Sequence, residues 1–109
     1  MKRESDFQSE LIRELEKRFP GIIVMKNDCN YIQGIPDLTL LYEDKWATLE
    51  CKKSVKELKD PRPNQPYYIE LMNRMSFSSF IYPENREEIL DALQRTFKPG
   101  RPARLSRSK

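Results

Sequence analysis

The 109-residue sequence contains no histidine, and that absence excludes more chemistry than any other feature of its composition. Without His there is no Ser-His-Asp triad, no Cys-His nucleophile pair, no His-ligated zinc and no imidazole base. Any catalysis falls to carboxylates, Lys, Tyr, Cys or a bound metal ion. Cysteine is nearly as scarce. Cys29 and Cys51 are too few for a disulfide framework, and neither belongs to a C-x-x-C pair. Neither has a basic partner at a spacing that would activate a thiolate. Apolar residues make up only 38% of the chain, which leaves a modest core for one domain. No apolar run is long enough to cross a bilayer and no signal-peptide pattern is present, so the sequence reads as soluble and cytoplasmic.

Charge is present in quantity but unevenly placed. Residues 98–109 hold five of the 20 basic residues and none of the 17 acidic ones, so residues 1–97 carry a formal charge of −2 despite the net +3. This pattern describes a mildly acidic single domain, 1–97, followed by a basic, Pro-, Ser- and Arg-rich tail that is too polar to pack. Such a tail is expected to be disordered and to add nonspecific affinity for nucleic acid.

Hydrophobic periodicity divides the domain into seven elements. Phe7, Leu11, Ile12, Leu15 and Phe19 recur at helical spacing, predicting a helix over 5–19 capped by Ser5 with Gln8 and ended by Pro20-Gly21. Strands are predicted at 22–26, 38–42 and 46–52, the last two joined as a hairpin through Glu43-Asp44-Lys45. A charged loop with two prolines follows over 53–64. A second helix is predicted over 65–75, with Asn64 as its cap and Tyr68, Leu71, Met72 and Met75 as its apolar stripe. A short strand over 78–82 precedes a third helix, capped by Asn85 with Glu88 and carrying Ile89, Leu90, Leu93 and Phe97. The order α-β-β-β-α-β-α predicts an α/β fold with a mixed central sheet flanked by helices.

The chemistry concentrates at one end of the predicted hairpin. Asp37 opens the second strand and Glu50-Cys51-Lys52 ends the third. Alternation points Glu50 and Lys52 to one face and Cys51 to the other. Two carboxylates and an ammonium then converge. Hard oxygen ligands of this kind suit Mg²⁺, which would activate water and neutralise charge on a phosphate. Lys52 would orient the attacking water and stabilise developing negative charge. Taken alone, these letters also fit a solvated strand face.

Their framing carries a resemblance. Gly34-Ile35-Pro36-Asp37-Leu38, then Leu49-Glu50-Cys51-Lys52, then Gln65 at the head of the next helix, resemble the PD-(D/E)XK nuclease superfamily. More specifically, they are similar to the stand-alone VRR-NUC family, small nucleases found largely in phages and bacteria. Arg3-Glu4-Ser5 and Lys26 also match that pattern, and the resemblance spans residues 3–82. It implies the restriction-endonuclease-like fold, with Asp37, Glu50 and the backbone carbonyl of Cys51 as Mg²⁺ or Mn²⁺ ligands. It further implies Lys52 as the catalytic lysine, Gln65 at the edge of the site and an acid from the first helix completing the metal or water shell. Glu4 lies within about 10–20° of that helix's apolar direction at 100° per residue, whereas Glu10 and Glu14 lie far from it. Glu4 is thus either the site acid or a favourable charge at a helix N-terminus.

Lys26 is a candidate phosphate contact or an exposed strand-end lysine. Lys53, Lys56, Lys59 and Arg62 form, with Lys52, a basic stretch that would engage DNA phosphates without reading sequence. No helix-turn-helix or zinc finger is visible. The expected function is therefore a metal-dependent DNA endonuclease selective for branched DNA such as a four-way junction. Such a substrate has two scissile positions, so a two-fold homodimer is expected. The alternative is a noncatalytic nucleic-acid-binding module that uses the basic loop and tail.

Overall fold

A computed structural model describes residues 3–59, 62 and 64–98, so the expected tail lies, beyond Lys98, outside the described residues. The elements are α1 (Glu4–Arg18), β1 (Ile23–Lys26), β2 (Leu38–Tyr42), β3 (Lys45–Cys51), α2 (Asn64–Met75), β4 (Phe77–Ile81) and α3 (Arg86–Thr96). Short 3-10 turns occupy Val55–Lys59 and Pro83–Asn85. The strands form one sheet in the order β1-β2-β3-β4. The first three run antiparallel, and β4 returns parallel to β3 after the α2 crossover. The fold is thus a mixed α/β sheet flanked by helices.

The register assigns each residue to a face. Leu38 faces Leu49 and Leu40 faces Ala47 across β2 and β3. These side chains, with Cys51 and Ile81, pack into a core with Phe7, Leu11, Leu15 and Phe19 of the α1 segment and Ile89, Leu90, Leu93 and Phe97 of the α3 segment. Phe19 stacks edge-on against both Tyr42 and Phe97, which ties the C-terminal ends of α1 and α3 to β2. Arg18 extends the same junction by donating to Asp91 at 2.7 Å and to Gln94. The apolar positions read from the periodicity of the first and third helices are therefore the ones that are buried, except Ile12, which is half-buried.

The opposite face is covered by α2 over β3 and β4. There Thr48 Oγ1 donates to Ser78 Oγ at 2.7 Å and also lies against Met72 Sδ. This helix departs from expectation. Tyr68, Leu71 and Met72 are only half-buried, Met75 is 64% exposed, and the one buried residue of the helix is Gln65. A single helix on one half of a sheet face has no second layer to bury its stripe. The half of that face on β1 stays open, leaving Ile23 and Met25 exposed.

Helix caps also differ from expectation. The first helix starts one residue earlier, and Ser5 lies inside it; the Asp6 carboxylate instead accepts the backbone N–H of Arg3 at 3.3 Å. Asn64 is the first residue of α2 rather than its cap. Asn85 precedes α3 but does not cap it: its Oδ1 accepts the Tyr82 N–H at 2.8 Å and its Nδ2 donates to the Phe80 carbonyl. At Asn85 the nearby Tyr82 N–H takes the side chain that would otherwise cap the helix. The 53–64 loop contains the 3-10 turn Val55–Lys59, which the charge pattern concealed.

The hairpin between β2 and β3 is tight, with Tyr42 paired to Lys45. Glu43 takes a left-handed backbone, φ 60°, to close it. A side chain there is unfavourable by roughly 1 kcal/mol relative to glycine. Glu43→Gly is accordingly expected to raise the urea midpoint by an amount equivalent to about 0.5–1 kcal/mol.

Candidate functional site

The site is built where β2 begins and β3 ends. Pairing of Leu38 with Leu49 brings Asp37 beside Glu50, as the hairpin reading requires. The Asp37 backbone N–H donates to Glu50 Oε1 at 3.1 Å, and Asp37 Oδ2 accepts the Cys51 N–H at 2.9 Å. Each carboxylate is thus held by the other's strand. Cys51 Sγ faces the core, while Glu50 and Lys52 turn to the α2 side. In an extended strand one residue's N–H and C=O point to the same edge. The Cys51 carbonyl therefore points toward the Asp37 edge, while the Lys52 N–H bonds to Ile81 of β4.

Gln65 occupies the centre of this arrangement. It is 7% exposed. Its Nε2 donates to Glu50 Oε2 at 2.8 Å, and its Oε1 accepts from Lys52 Nζ at 2.9 Å. The same Oε1 accepts the Arg62 N–H at 3.3 Å. Lys52 Nζ itself stands 3.8 Å from Glu50 Oε2. Gln65 therefore bridges the buried carboxylate and the buried ammonium rather than lying at the edge of the site.

These groups open onto a cleft of about 530 Å³ lined by Glu4, Asp37, Glu50, Lys52, Arg62 and Gln65, together with residues of the 29–35 loop, Glu57 and Asn64. Of the sequence candidates, Lys26, Lys53, Lys56 and Lys59 are exposed and do not line it. Glu4 reaches the cleft, as its helical direction predicts. It does not complete a three-carboxylate cluster, because among the described residues no three His, Cys, Asp or Glu side chains are gathered closely enough to hold a metal ion by themselves. The sequence reading missed the cleft-lining Cys29, Asn30, Gln33, Glu57 and Asn64.

One local feature of the G-x-P-D run now has a cause. Gly34 has φ 96°, and a Cβ built on it would lie 2.4 Å from Asn64 Cβ. The loop backbone therefore rests directly on the first turn of α2. Pro36 is fully buried, and its carbonyl accepts from Asn27 Nδ2 at 2.9 Å. Both contacts hold Asp37 and Gln65 in register. Gly34→Ala is expected to destabilise the fold by roughly 2 kcal/mol or more, since both the backbone angle and the contact resist a methyl group; chemical denaturation measures it.

Burial dominates the electrostatics. It raises the Glu50 carboxyl from 4.5 to about 8, with the neighbouring Asp37 charge adding to the shift and Lys52 opposing it. Desolvation raises Asp37 as well, against the Cys51 N–H and Lys52. Glu4 is raised by burial and then by Asp37. Comparison of the chain with family models, curated proteins and solved structures returns no match.

A raised carboxyl means that the folded chain binds protons more tightly than the unfolded chain between the two pKa values. For Glu50 that window runs from 4.5 to about 8. The stability contribution is present below it and is lost as pH rises through it. The metal-free protein is expected to resist urea better near pH 5 than near pH 8.5, and Glu50→Gln is expected to flatten that dependence.

Proposed function

We propose that this protein is a metal-dependent DNA endonuclease that hydrolyses phosphodiester bonds. The observation that carries the reading is the convergence of Asp37, Glu50 and Lys52 at one cleft, with both carboxyls under-compensated by positive charge. The resemblance of the G-x-P-D, E-x-K and Gln65 segments to PD-(D/E)XK nucleases points the same way.

The donor set fits a hard divalent cation. Two carboxylates and a carbonyl offer oxygen alone, and Mg²⁺ commonly uses one or two protein carboxylates with waters and substrate phosphates. Asp37, Glu50 and the Cys51 carbonyl would hold the ion, with Glu4 in contact through water. When bound, Mg²⁺ or Mn²⁺ supplies positive charge for phosphate oxygens and a more acidic water. Lys52, fixed by Gln65, would lie beside the scissile phosphate and stabilise developing negative charge there. Arg62 at the cleft, with exposed Lys53, Lys56 and Lys59 nearby in sequence and Lys26 beyond, attracts the DNA backbone. Branched DNA is the expected substrate class. A two-fold homodimer would cut both strands of a junction, and the open apolar strip at Ile23 and Met25 on the edge strand is surface available to it. Among the described residues no helix is long and apolar enough to cross a membrane.

The test is a panel of four-way junction, flap, nicked and plain duplex DNA with Mg²⁺ or Mn²⁺. Cleavage of at least one is expected; an intact panel sinks the reading. Asp37→Ala, Glu50→Ala and Lys52→Met are each expected to lower the rate by about 100-fold or more while leaving DNA binding largely in place. A noncatalytic binding module is the second reading, favoured by exposure of Lys53, Lys56 and Lys59 outside the cleft. Mg²⁺ separates the two. It is expected to raise the thermal midpoint of the wild type and not of Asp37→Ala; a pure binder would show no such shift.

A further inference from the structure

Tyr31 is 83% exposed, the largest value among the exposed apolar and aromatic side chains of the described residues. Ile32 beside it is exposed as well. Both sit in the 27–37 loop, where every other residue up to Gly34 is Asn, Asp, Cys, Gln or Gly. The loop is fastened at its base and along its length. Asn27 Nδ2 donates to the Pro36 carbonyl and to Thr39 Oγ1, and Asp28 accepts the N–H groups of Asn30 and Tyr31. Gly34 rests against Asn64. The flanking residues Asn30 and Gln33 line the same cleft as Asp37, Glu50 and Lys52.

We propose that Tyr31 is a stacking platform for an unpaired nucleobase of the strand bound in that cleft, and that it makes the protein prefer DNA with an unstacked base beside the cleft. The proposal rests on the nuclease reading above and adds to it the substrate feature that is recognised. A base inside a duplex has both faces covered by its neighbours, so an aromatic side chain gains a face only where a base is unpaired, flanks a gap or sits in a bulge. Stacking on an aromatic ring is sequence-tolerant and is commonly worth about tenfold in affinity per base. The hydrogen bonds of Asn27 and Asp28 hold the loop in place, which lowers the cost of arranging it on binding. A nucleic acid suits the surroundings better than a protein surface does. Lys52 and Arg62 suit phosphates, and the amides of Asn30 and Gln33 suit base edges.

The experiment measures equilibrium binding in EDTA, so that DNA stays intact. The probes are a duplex and the same duplex with a short gap flanked by 2-aminopurine. Wild type is expected to bind the gapped DNA about tenfold more tightly and to quench the 2-aminopurine. Tyr31→Ala is expected to lose that preference and the quenching with duplex affinity unchanged, and Tyr31→Phe to keep both. Equal loss on both probes, a preference that survives Tyr31→Ala, or a change in sedimentation as the only effect overturns the proposal. If wild type binds and, with Mg²⁺, cuts DNA without preferring gaps, the stacking proposal fails alone. If wild type neither binds nor cuts any DNA, the nuclease reading fails with it.

Discussion

Glu50 is a carboxylate 3% exposed near the end of an interior strand, and the neighbourhood is organised around satisfying it. Burying such a group without partners costs several kcal/mol or shifts its protonation. Its partners come from separate elements: the Asp37 N–H at the start of β2, the Gln65 amide in the first turn of α2 and the Lys52 ammonium just past β3. Satisfying one side chain therefore fixes three elements relative to one another. The close approach of Gly34 to Asn64 is a consequence, because α2 must come near enough for Gln65 to reach Glu50. The compensation stays incomplete. Asp37 adds negative charge where positive charge is needed, and the Glu50 carboxyl remains strongly raised. An apolar residue would serve stability better at this position. The cost is understandable if the charge is used.

Alternation along β3 lets one strand serve core and cleft together. Leu49 and Cys51 are buried against α1 and α3, and that packing holds the backbone while Glu50 and Lys52 face the other way. The site residues therefore stand on a strand with neighbours on both sides, β2 and β4. A rigid base matters because misplacement by about 1 Å can remove much of an oriented group's effect. On the α2 side the logic reverses. This helix fully buries no apolar residue, and its one buried residue, Gln65, is polar. The hydrogen bonds of Gln65 thus contribute to placing the helix as well as to the site.

What was legible in the sequence was whatever depends on short-range geometry. The hairpin period brought Asp37 to Glu50 and separated Cys51 from its neighbours, and helical direction brought Glu4 to the cleft. The core positions of α1 and α3 followed from spacing alone. Caps were harder. Ser5, Asp6 and Asn85 each had several backbone partners within three residues, and only the folded backbone decides among them. The half-exposed stripe of α2 was hidden because periodicity reports that a face is apolar, not whether another layer covers it. The bridge made by Gln65 was invisible for a third reason: it joins residues separated by 13 and 15 positions, through contacts no local pattern encodes.

The distribution of charge bears on how a nuclease site of this form would load. Its floor is acidic, with Asp37 and Glu50 near each other and Glu4 sensing both Asp37 and Lys52. Arg62 stands at the cleft wall, and Lys53, Lys56 and Lys59 are exposed in the preceding segment. A polyanion would be drawn by the lysines but repelled by the floor. A divalent cation would be drawn by the floor, and its hold would weaken as the carboxyls protonate. On the proposed reading each ligand would remove the obstacle to the other: the cation would reverse the sign of the floor, and a phosphate would supply oxygens the protein lacks. Linkage makes that effect reciprocal, so cation and DNA would each bind more tightly in the other's presence. On that reading the two carboxylates alone would leave coordination positions for the phosphate to fill.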